Sequence, residues 1–314
     1  MSKIFKTATA FRKSLESRLM NISQETNIDL QRLRRKVAFD RLLARFFIND
    51  SNTWVLKGGY ALEIRFVHAR ATKDIDLTLL IQLYASSESE YLMTMLQEES
   101  HIDLGDYFTF AFRPAMQELD GAPEGGFRFP VEAIMDGRPF VKFHIDIGIG
   151  DILVEPVEKI IGENWLEFAG ISPATIYAIS KEQQFAEKLH AYTLPRTDRL
   201  NTRVKDLVDM LLLIREGSID ESVVRENLSK VFHRRNTHIL PATLPSPPGG
   251  WDVKFALLAK ECGMSESLDQ AMEIVGHFYS RTFMLDLGEL HKLIEVNSAF
   301  IVLIISFLCG ILCP

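Results

Sequence analysis

The chain has 314 residues, of which 47% are hydrophobic and 25% are charged, and its formal net charge is −7. This composition is typical of a globular protein with room for two domains, and the negative balance argues against a protein that coats nucleic acid without specificity. Cys262, Cys309 and Cys313 do not have the spacing of a zinc site or a disulfide framework, and the charged opening does not predict a secretory signal. We therefore expect a cytoplasmic protein.

Periodicity and composition divide the sequence into four segments, at residues 1–30, 31–155, 156–297 and 298–314. The first is a polar helical lead. The second begins with an amphipathic helix that is expected to end at Asn49 and Asp50, and it then alternates strand and helix patterns, with a hairpin loop predicted at 121–126. The third is mainly helical, apart from a proline-rich loop at 241–250.

Glycines mark the first turn of the second segment. An apolar run is broken by Gly58 and Gly59, and residues 60–65 predict the first turns of a helix. Backbone N–H groups at a helix start are unpaired, and glycines let a phosphate approach them closely. An ordinary strand-to-helix turn would look the same, so the two glycines alone do not establish a phosphate site.

The strand that follows carries two acids. Charged and apolar residues alternate, so Asp74 and Asp76 are predicted to share one strand face while Ile75 and Leu77 enter the core. The carboxylates would lie roughly 7 Å apart, which suits a pair of Mg²⁺ ions roughly 3.5–4 Å apart. Two neighbouring anions repel, so a positive group is expected between them. Solvated strand edges often carry such a pair, and only its combination with the glycine turn indicates nucleotidyl transfer.

A third acid, Asp146, lies on a later segment with the same alternation. A neighbouring strand would set it beside Asp74 and Asp76, as a metal ligand and a possible base for an incoming hydroxyl. Asp151 is a competitor for that role. His144 is predicted to be a packed or hydrogen-bonded neighbour, because Mg²⁺ prefers oxygen ligands.

Two helices of the third segment carry further charged candidates. Residues 180–194 predict an amphipathic helix with Lys188 one residue off its apolar stripe, where a lysine usually faces solvent. Asp206 and Asp209 share one side of the next helix in a strongly apolar setting. Burying both would be costly without accompanying cations, and surface ion pairs with basic neighbours explain them equally well.

Taken together, these motifs resemble the signature of the AbiEii/AbiGii family of toxin nucleotidyltransferases, a branch of the polymerase-beta-like superfamily. Over roughly residues 35–235 the resemblance rests on four ordered motifs, Lys57-Gly-Gly-Tyr-Ala-Leu62, Arg70-x-Thr-x-Asp-Ile-Asp76, Gln184-Phe-Ala-Glu-Lys-Leu-His-Ala191 and Arg203-Val-Lys-Asp-Leu-Val-Asp-Met210. The ordered set is specific, whereas no single motif is. It implies an α+β fold, in which a nucleotidyltransferase-like mixed sheet at 31–155, backed by helices, is followed by a mainly helical C-terminal half.

The resemblance also implies roles for individual residues. The expected site consists of Asp74, Asp76 and Asp146 as ligands of two Mg²⁺ ions, Lys57, Gly58, Gly59 and Lys188 as contacts of the NTP, and Asp206, preferred to Asp209, as a further residue needed for activity. Tyr60 departs from the family pattern, in which Thr or Ser often follows the two glycines. A hydroxyl donor to phosphate would thus be altered, unless the phenol points elsewhere.

The activity implied by the resemblance is Mg²⁺-dependent transfer of a nucleoside monophosphate from an NTP to an RNA hydroxyl, with tRNA as the expected acceptor. The protein would be the toxin of a bacterial toxin–antitoxin or phage-defence pair, with its antitoxin encoded by a separate gene. Two other hypotheses are a catalytically silent nucleotide-binding or interaction module and a kinase that transfers the γ-phosphate. Tyr60 and the unusual tail support the silent module, and retention of all three acids opposes it.

Basic residues are clustered despite the negative net charge, at Arg32, Arg34, Arg35, Lys36, Arg41 and Arg45, at Arg196, Arg199, Arg203 and Lys205, and at Lys230, His233, Arg234 and Arg235. If two of these clusters faced the site they would attract an RNA backbone. Charged faces of ordinary helices explain them almost as well.

The fourth segment is apolar throughout. Its uninterrupted run at 299–313 is shorter than the about 20 residues that a membrane-spanning helix usually needs. Three interpretations stay open: a marginal membrane anchor, which we do not favour, a buried terminal helix, and sequence read past a natural end after a frameshift.

Overall fold

The computed structural model describes residues 5–48, 53–81, 88–118, 122–196 and 200–282. The sequence predictions that lie outside these residues concern the tail at 298–314, Cys309, Cys313, Asn49, Asp50 and Arg199. The predicted hairpin loop at 121–126 is described from residue 122 onward.

Helices and strands alternate in the first part of the chain, and helices follow one another in the last part. In chain order the elements are α1 (Ala8–Thr26), α2 (Leu30–Phe46), β1 (Trp54–Lys57), α3 (Gly58–Arg65), β2 (Asp74–Leu79), α4 (Glu88–Ser100), β3 (Phe108–Phe112), β4 (Gln117–Glu118), β5 (Gly126–Met135), β6 (Arg138–Ile149), β7 (Glu158–Ile161), β8 (Thr175–Ala178), α5 (Lys181–Thr193), α6 (Val204–Glu216), α7 (Glu221–Arg235) and α8 (Asp252–Glu261). Residues 268–282 are also helical, and the predicted loop at 241–250 contains neither helix nor strand.

The described strands form one mixed sheet. Its order is β3-β5-β6-β2-β1-β8-β7, and β4 pairs with β5. β2 runs parallel to β6 and β1 runs parallel to β8, whereas the other paired strands are antiparallel. The predicted α+β fold, with a mixed sheet backed by helices and a mainly helical C-terminal half, is confirmed.

Alternation along β2 and β6 separates a core face of the sheet from a polar face. Ile75, Leu77 and Ile145 are fully buried, and α2 covers this face, where the rings of Phe39 and Phe143 meet edge to face with centroids 4.8 Å apart. Burying a side chain of this size contributes about 1.5–3 kcal/mol. A slip of one residue in register would move the acids into the core, so the hydrophobic pattern fixes the polar residues on the opposite face.

Four helices begin at side chains that cap them. Side-chain oxygens accept hydrogen bonds from backbone N–H groups at the starts of these helices. The capping residues are Thr7 for α1, Asp29 for α2, Ser180 for α5 and Asp220 for α7. Each cap satisfies a donor that has no helical partner and typically contributes about 1 kcal/mol. α2 ends at Phe46, before the polar pair at which the sequence placed its end.

Two strands lie beyond residue 155, where the sequence placed the end of the strand and helix core. β8 joins the sheet parallel to β1, with Leu56 opposite Ala178, and β7 pairs with β8. Each strand has only 4 residues. Alternation over so short a run does not distinguish a strand from its surroundings, so neither strand could be predicted.

The helices after β8 pack around a second core. Phe185, Leu207 and Phe255 contribute to it from α5, α6 and α8, and Leu62 joins it from α3, so the helical half is packed directly against the glycine turn. Cys262 is buried in this core as a free thiol. In the described part of the chain, no helix is both long and apolar enough to cross a membrane.

Candidate active site

The three predicted acids lie on one polar face of the sheet, because β2 and β6 are adjacent and parallel. Their register sets Asp76 directly opposite Asp146 and sets Asp74 opposite His144. Residues opposite each other in a sheet project to the same side, so the carboxylates are neighbours. His144 Nδ1 lies 3.3 Å from Asp74 Oδ1, as a hydrogen-bonded neighbour would.

Arg128 on β5 lies between Asp74 and Asp146, whereas the sequence placed a positive group between Asp74 and Asp76. Its Nε and Nη2 donate to the two carboxylate oxygens of Asp146 at 2.7 and 2.6 Å, and Nη2 also lies 3.6 Å from Asp74 Oδ2. Paired hydrogen bonds of this kind are among the strongest in proteins. The bond to Asp146 raises the pKa of Arg128 above its usual value, so the guanidinium stays charged.

Asp76 is the least compensated of the three acids. Burial and the charge of Asp146 raise its pKa to about 6, although Lys57 and Lys188 oppose that shift. Among the described residues, none forms an ion pair or a hydrogen bond with its carboxylate. A carboxylate in this position would be stabilised by an additional cation.

The acids are aligned, but they are not gathered into a ready metal cage. Within the described ranges, no group of three or more His, Cys, Asp or Glu side chains could hold a metal ion as it stands, and Arg128 engages both oxygens of Asp146. The donor chemistry nevertheless fits a hard divalent cation, which takes oxygen ligands. The three carboxylates are adjacent, Asp76 has no direct ion pair with a described residue, and the guanidinium of Arg128 lies where a cation is attracted, between Asp74 and Asp146.

The turn between β1 and α3 packs against Asp76. α3 starts at Gly58, directly after β1 ends at Lys57, so both glycines belong to the helix whose first turns the sequence placed at Tyr60. Gly58 has a φ of +67°, and a Cβ there would overlap the Asp76 carboxylate, while a Cβ at Gly59 would lie 2.8 Å from Thr72 Oγ1. Gly58 therefore requires glycine because Asp76 on β2 approaches the turn so closely, and Gly59 is packed against the residues just before β2. Their binding of phosphate stays a prediction.

Tyr60, the departure from the family pattern, points away from the turn. Its hydroxyl donates to the carbonyl oxygen of Lys36 on α2 at 3.2 Å, and its ring meets that of Phe39 with centroids 4.9 Å apart. Burial raises the pKa of Tyr60 well above its usual value. The phenol is therefore a core side chain, and it does not replace a hydroxyl donor to phosphate.

Asp151, the competitor of Asp146, joins the sheet to the helical half. It binds Lys57 and accepts a hydrogen bond from Arg235 Nη2 at 2.9 Å, and Arg235 Nη2 also lies 3.5 Å from Glu187 Oε2 on α5. Burial alone would raise the pKa of Asp151, but the charges of Lys57 and Arg235 hold it below its usual value. This carboxylate is committed to structural ion pairs.

Lys188 points into the protein, whereas a lysine beside an apolar stripe usually faces solvent. Its Nζ lies 2.7 Å from Asp209 Oδ2 and 3.2 Å from Asp206 Oδ1. Asp209 is fully buried and also accepts two hydrogen bonds from Arg70, at 2.8 and 2.6 Å. Burial favours a raised pKa for Asp209, but Lys188 and Arg70 hold it below its usual value. Asp206 and Asp209 are therefore buried beside a cation, which is the first of the two interpretations that the sequence left open.

The sequence matches a known protein family over most of its length. The family model is described as the nucleotidyl transferase AbiEii toxin of type IV toxin–antitoxin systems, and it matches residues 41–273. The chain belongs to the AbiEii family of nucleotidyltransferase toxins. The matched segment includes the acidic centre, the glycine turn and the ion pairs between α5 and α6, so the family resemblance carried by the motifs is confirmed.

Two solved structures share the fold of this AbiEii-family nucleotidyltransferase. MenT4, a nucleotidyltransferase toxin from Mycobacterium tuberculosis H37Rv, is 17% identical, with a TM-score of 0.51 over 83% of this chain and 98% of that chain. JHP933 from Helicobacter pylori is 14% identical, with a TM-score of 0.50 over 86% of this chain and 99% of that chain. No curated protein matches the sequence significantly. At these identities, the two structures support the fold alone.

Two residues of the AbiEii-family site were missed by sequence reasoning. Arg128 stands opposite Asp146 in the register of β5 and β6, and the alternation along β5 would have found it once the strands were paired. Arg70 lies inside one of the four motifs, but its partner Asp209 is 139 positions away. Nothing local in the sequence links them.

Most of the clustered basic residues are neutralised within the fold of this AbiEii-family chain. Their ion pairs are Arg32–Glu63, Arg34–Glu16, Lys36–Glu163, Arg41–Asp106, Arg45–Asp106, Arg203–Asp206, Lys230–Glu226, Arg234–Glu124 and Arg235–Asp151. Arg35 is the exception on α2, since no described acid pairs with it and its buried Nε has no hydrogen-bond partner. The clusters themselves are therefore mainly structural.

Proposed function

We propose that this AbiEii-family enzyme transfers a nucleoside monophosphate from an NTP to a hydroxyl of RNA, with tRNA as the expected acceptor, and releases pyrophosphate. The observation that carries the proposal is the placement of Asp76 beside Asp146 on parallel strands, packed against a glycine turn. The acidic centre can bind cations, and the backbone of the glycine turn lies beside it. This arrangement suits a triphosphate, because its charge must be neutralised before an oxygen attacks it.

Asp74, Asp76 and Asp146 would hold divalent metal, expected to be two Mg²⁺ ions. When bound, such ions stabilise the charges of the attacking and leaving oxygens. Asp146 would also accept the proton of the acceptor hydroxyl, for which Arg128 must release at least one of its oxygens. An arginine fork binds phosphate in the way it binds carboxylate, so Arg128 can exchange Asp146 for a phosphate oxygen of the substrate.

The glycine turn would form the donor side of the site. Backbone N–H groups at Gly58 and Gly59 would face the triphosphate at the start of α3. Lys57 would support this region from the end of β1, where Asp151 fixes its ammonium group. The close packing of Gly58 on Asp76 would keep metal and phosphates together.

Lys188 would neutralise the phosphates of the NTP from the helical side. Its charge, with that of Lys57, opposes the rise in the pKa of Asp76, which supports a position close to the acidic centre. Asp209 and Asp206 hold its Nζ. Asp206 is the more exposed of the two, with 12% of its side chain accessible, and we propose it as the acid that activity requires.

The biological role follows from the proposed acceptor. Modification of tRNA would stop translation, which makes such an enzyme toxic to its own cell and useful against phage. We propose that the enzyme acts in the cytoplasm, where NTPs and tRNA are both present. The antitoxin is expected from a separate gene, and a stable complex with the toxin is not required.

The proposal is tested by incubating the purified protein with Mg²⁺, total RNA and each NTP labelled at either the α- or the γ-phosphorus. We expect the α-label to appear in RNA and the γ-label to be released in pyrophosphate. Chelation of the metal with EDTA should abolish the transfer, because uncompensated carboxylates repel a triphosphate.

Two results would contradict nucleotidyl transfer in this experiment. Transfer of the γ-label to RNA or to protein would identify a kinase. NTP binding without transfer of either label, for every NTP, would identify a silent nucleotide-binding module.

A further inference from the structure

A groove of about 610 Å³ adjoins the acidic centre along β5 and β6. Asp74 and Arg128 belong both to this groove and to the acidic centre, whereas Asp76, Asp146 and Lys188 do not line it. The groove is therefore continuous with the proposed catalytic residues, but it is separate from the side assigned to the NTP.

The groove combines five basic side chains with apolar ones such as Pro130, Val131 and Phe143. The basic ones are Arg35, Lys73, Arg113, Arg128 and Lys142, and the acids that line it are Asp74 and Glu132. Two of the cations are engaged by acids, since Lys142 Nζ lies 3.2 Å from Glu132 Oε1 and Arg128 binds Asp146. The cationic groups of the remaining three have no ion pair or hydrogen bond with any described residue.

The cations on the NTP side differ in this respect. Lys57 is bound by Asp151, and Lys188 and Arg70 are bound by Asp209. The groove therefore places three cations without a described acidic partner next to the acidic centre. Like charges brought together in a cleft raise the local concentration of a polyanion.

Arg35 differs from its basic neighbours on α2. Five other basic residues of this helix bind acids, whereas no described acid pairs with Arg35. Its guanidinium is therefore available to an anion from outside the chain, and a phosphate oxygen is a suitable acceptor for an arginine.

We propose that this groove holds the phosphate backbone of the acceptor strand through Arg35, Lys73 and Arg113. This inference rests on the proposed nucleotidyl transfer to RNA. A strand is longer than the reacting nucleotide, so its backbone needs contacts beyond the acidic centre, and the groove supplies them. Met116, which is 62% exposed, adds apolar surface for a base at the same place. Grooves that bind single strands combine positive charge along the backbone with surface for the bases.

The test is the triple variant Arg35→Gln, Lys73→Gln, Arg113→Gln, compared with the control triple variant Lys13→Gln, Lys159→Gln, Lys260→Gln. The control removes the same charge from exposed positions on α1, β7 and α8, none of which lines the groove. Binding of a fluorescein-labelled oligoribonucleotide of about 12 nucleotides is measured by anisotropy at several salt concentrations. NTP binding is measured separately by calorimetry with Mg²⁺, and thermal melting checks the fold.

The groove variant is expected to bind the oligonucleotide on the order of tenfold more weakly. The slope of the logarithm of the association constant against log[salt] should become less negative by about 2, because three phosphate contacts are lost. NTP binding should be unchanged, and the control should behave as the wild type. If either single variant Lys73→Gln or Arg113→Gln weakens the oligonucleotide without changing the melting temperature, the groove is supported even where the triple variant folds poorly.

Other outcomes separate this inference from the proposed function. Unchanged oligonucleotide binding by the triple variant, with wild-type transfer to RNA intact, overturns the groove alone. Loss of NTP binding with oligonucleotide binding retained assigns the groove to the donor and also overturns the inference. Weaker oligonucleotide binding by the groove variant supports the groove even if the wild type transfers nothing to RNA. The absence of transfer by the wild type would overturn the proposed function alone.

Discussion

Replacement of Asp76 by asparagine is expected to abolish nucleotidyl transfer and to raise the melting temperature of the protein. A carboxylate that binds metal in the transition state contributes several kcal/mol, so transfer of α-label to RNA should fall by about 10²- to 10⁴-fold. The fold should gain stability because burial and Asp146 raise the pKa of Asp76 to about 6. A group with a raised folded-state pKa destabilises the fold when it is ionised at neutral pH, and asparagine removes that charge.

The control for this variant is Asp269→Asn, which alters an exposed aspartate on the last described helix. It should change neither transfer nor melting. Loss of transfer together with loss of stability in Asp76→Asn would indicate that Asp76 has a structural role. Undiminished transfer would refute the catalytic assignment of this residue.

Replacement of Asp209 by asparagine is expected to destabilise the fold by about 3–5 kcal/mol, because it leaves Arg70 buried without a counter-charge and leaves Lys188 with Asp206 alone. The matched variant Asp206→Asn should cost much less, since Asp206 is 12% exposed and Lys188 keeps its shorter contact with Asp209. Urea unfolding of both variants measures the difference as a shift in midpoint at constant slope.

The same ion pairs determine how the contribution of Asp209 depends on pH. Its pKa is held below the usual value of 3.8, so its stabilising effect is fully present above that pH and is lost only as the pH falls through the lower folded-state value.

The variant Asp206→Asn should instead lose transfer activity, while its unfolding midpoint stays close to that of the wild type. Equal destabilisation by the two variants would show that the site does not separate a structural acid from a functional one.

Local patterns were sufficient to predict the strands and helices that carry the acidic centre. Alternation around Asp74, Asp76 and Asp146 predicted both strands and the shared polar face, and the residues after the glycine pair predicted α3, although the helix itself begins at Gly58. These features depend on near neighbours in sequence, which periodicity reports directly. The strands β7 and β8 escaped prediction because a run of four residues is too short to show a period.

The sequence predicted that the acids of the site need cations beside them, but it did not predict which residues provide those cations. Repulsion between Asp74 and Asp76 called for a cation between them, but the pairing of β5 with β6 instead sets Arg128 between Asp74 and Asp146. Lys188 was expected to face solvent on spacing alone, and its burial follows from acids on the next helix. Each of these contacts joins segments whose relative placement is set by tertiary packing, which local propensity does not report.

The most direct test of this account is the position of metal in crystals grown with Mn²⁺ and a non-hydrolysable NTP analogue, located by anomalous scattering from manganese. We expect manganese bound to Asp76 and Asp146, phosphates beside Gly58, and Arg128 moved off at least one oxygen of Asp146. Manganese and nucleotide bound elsewhere, with Arg128 still holding both oxygens of Asp146, would contradict it.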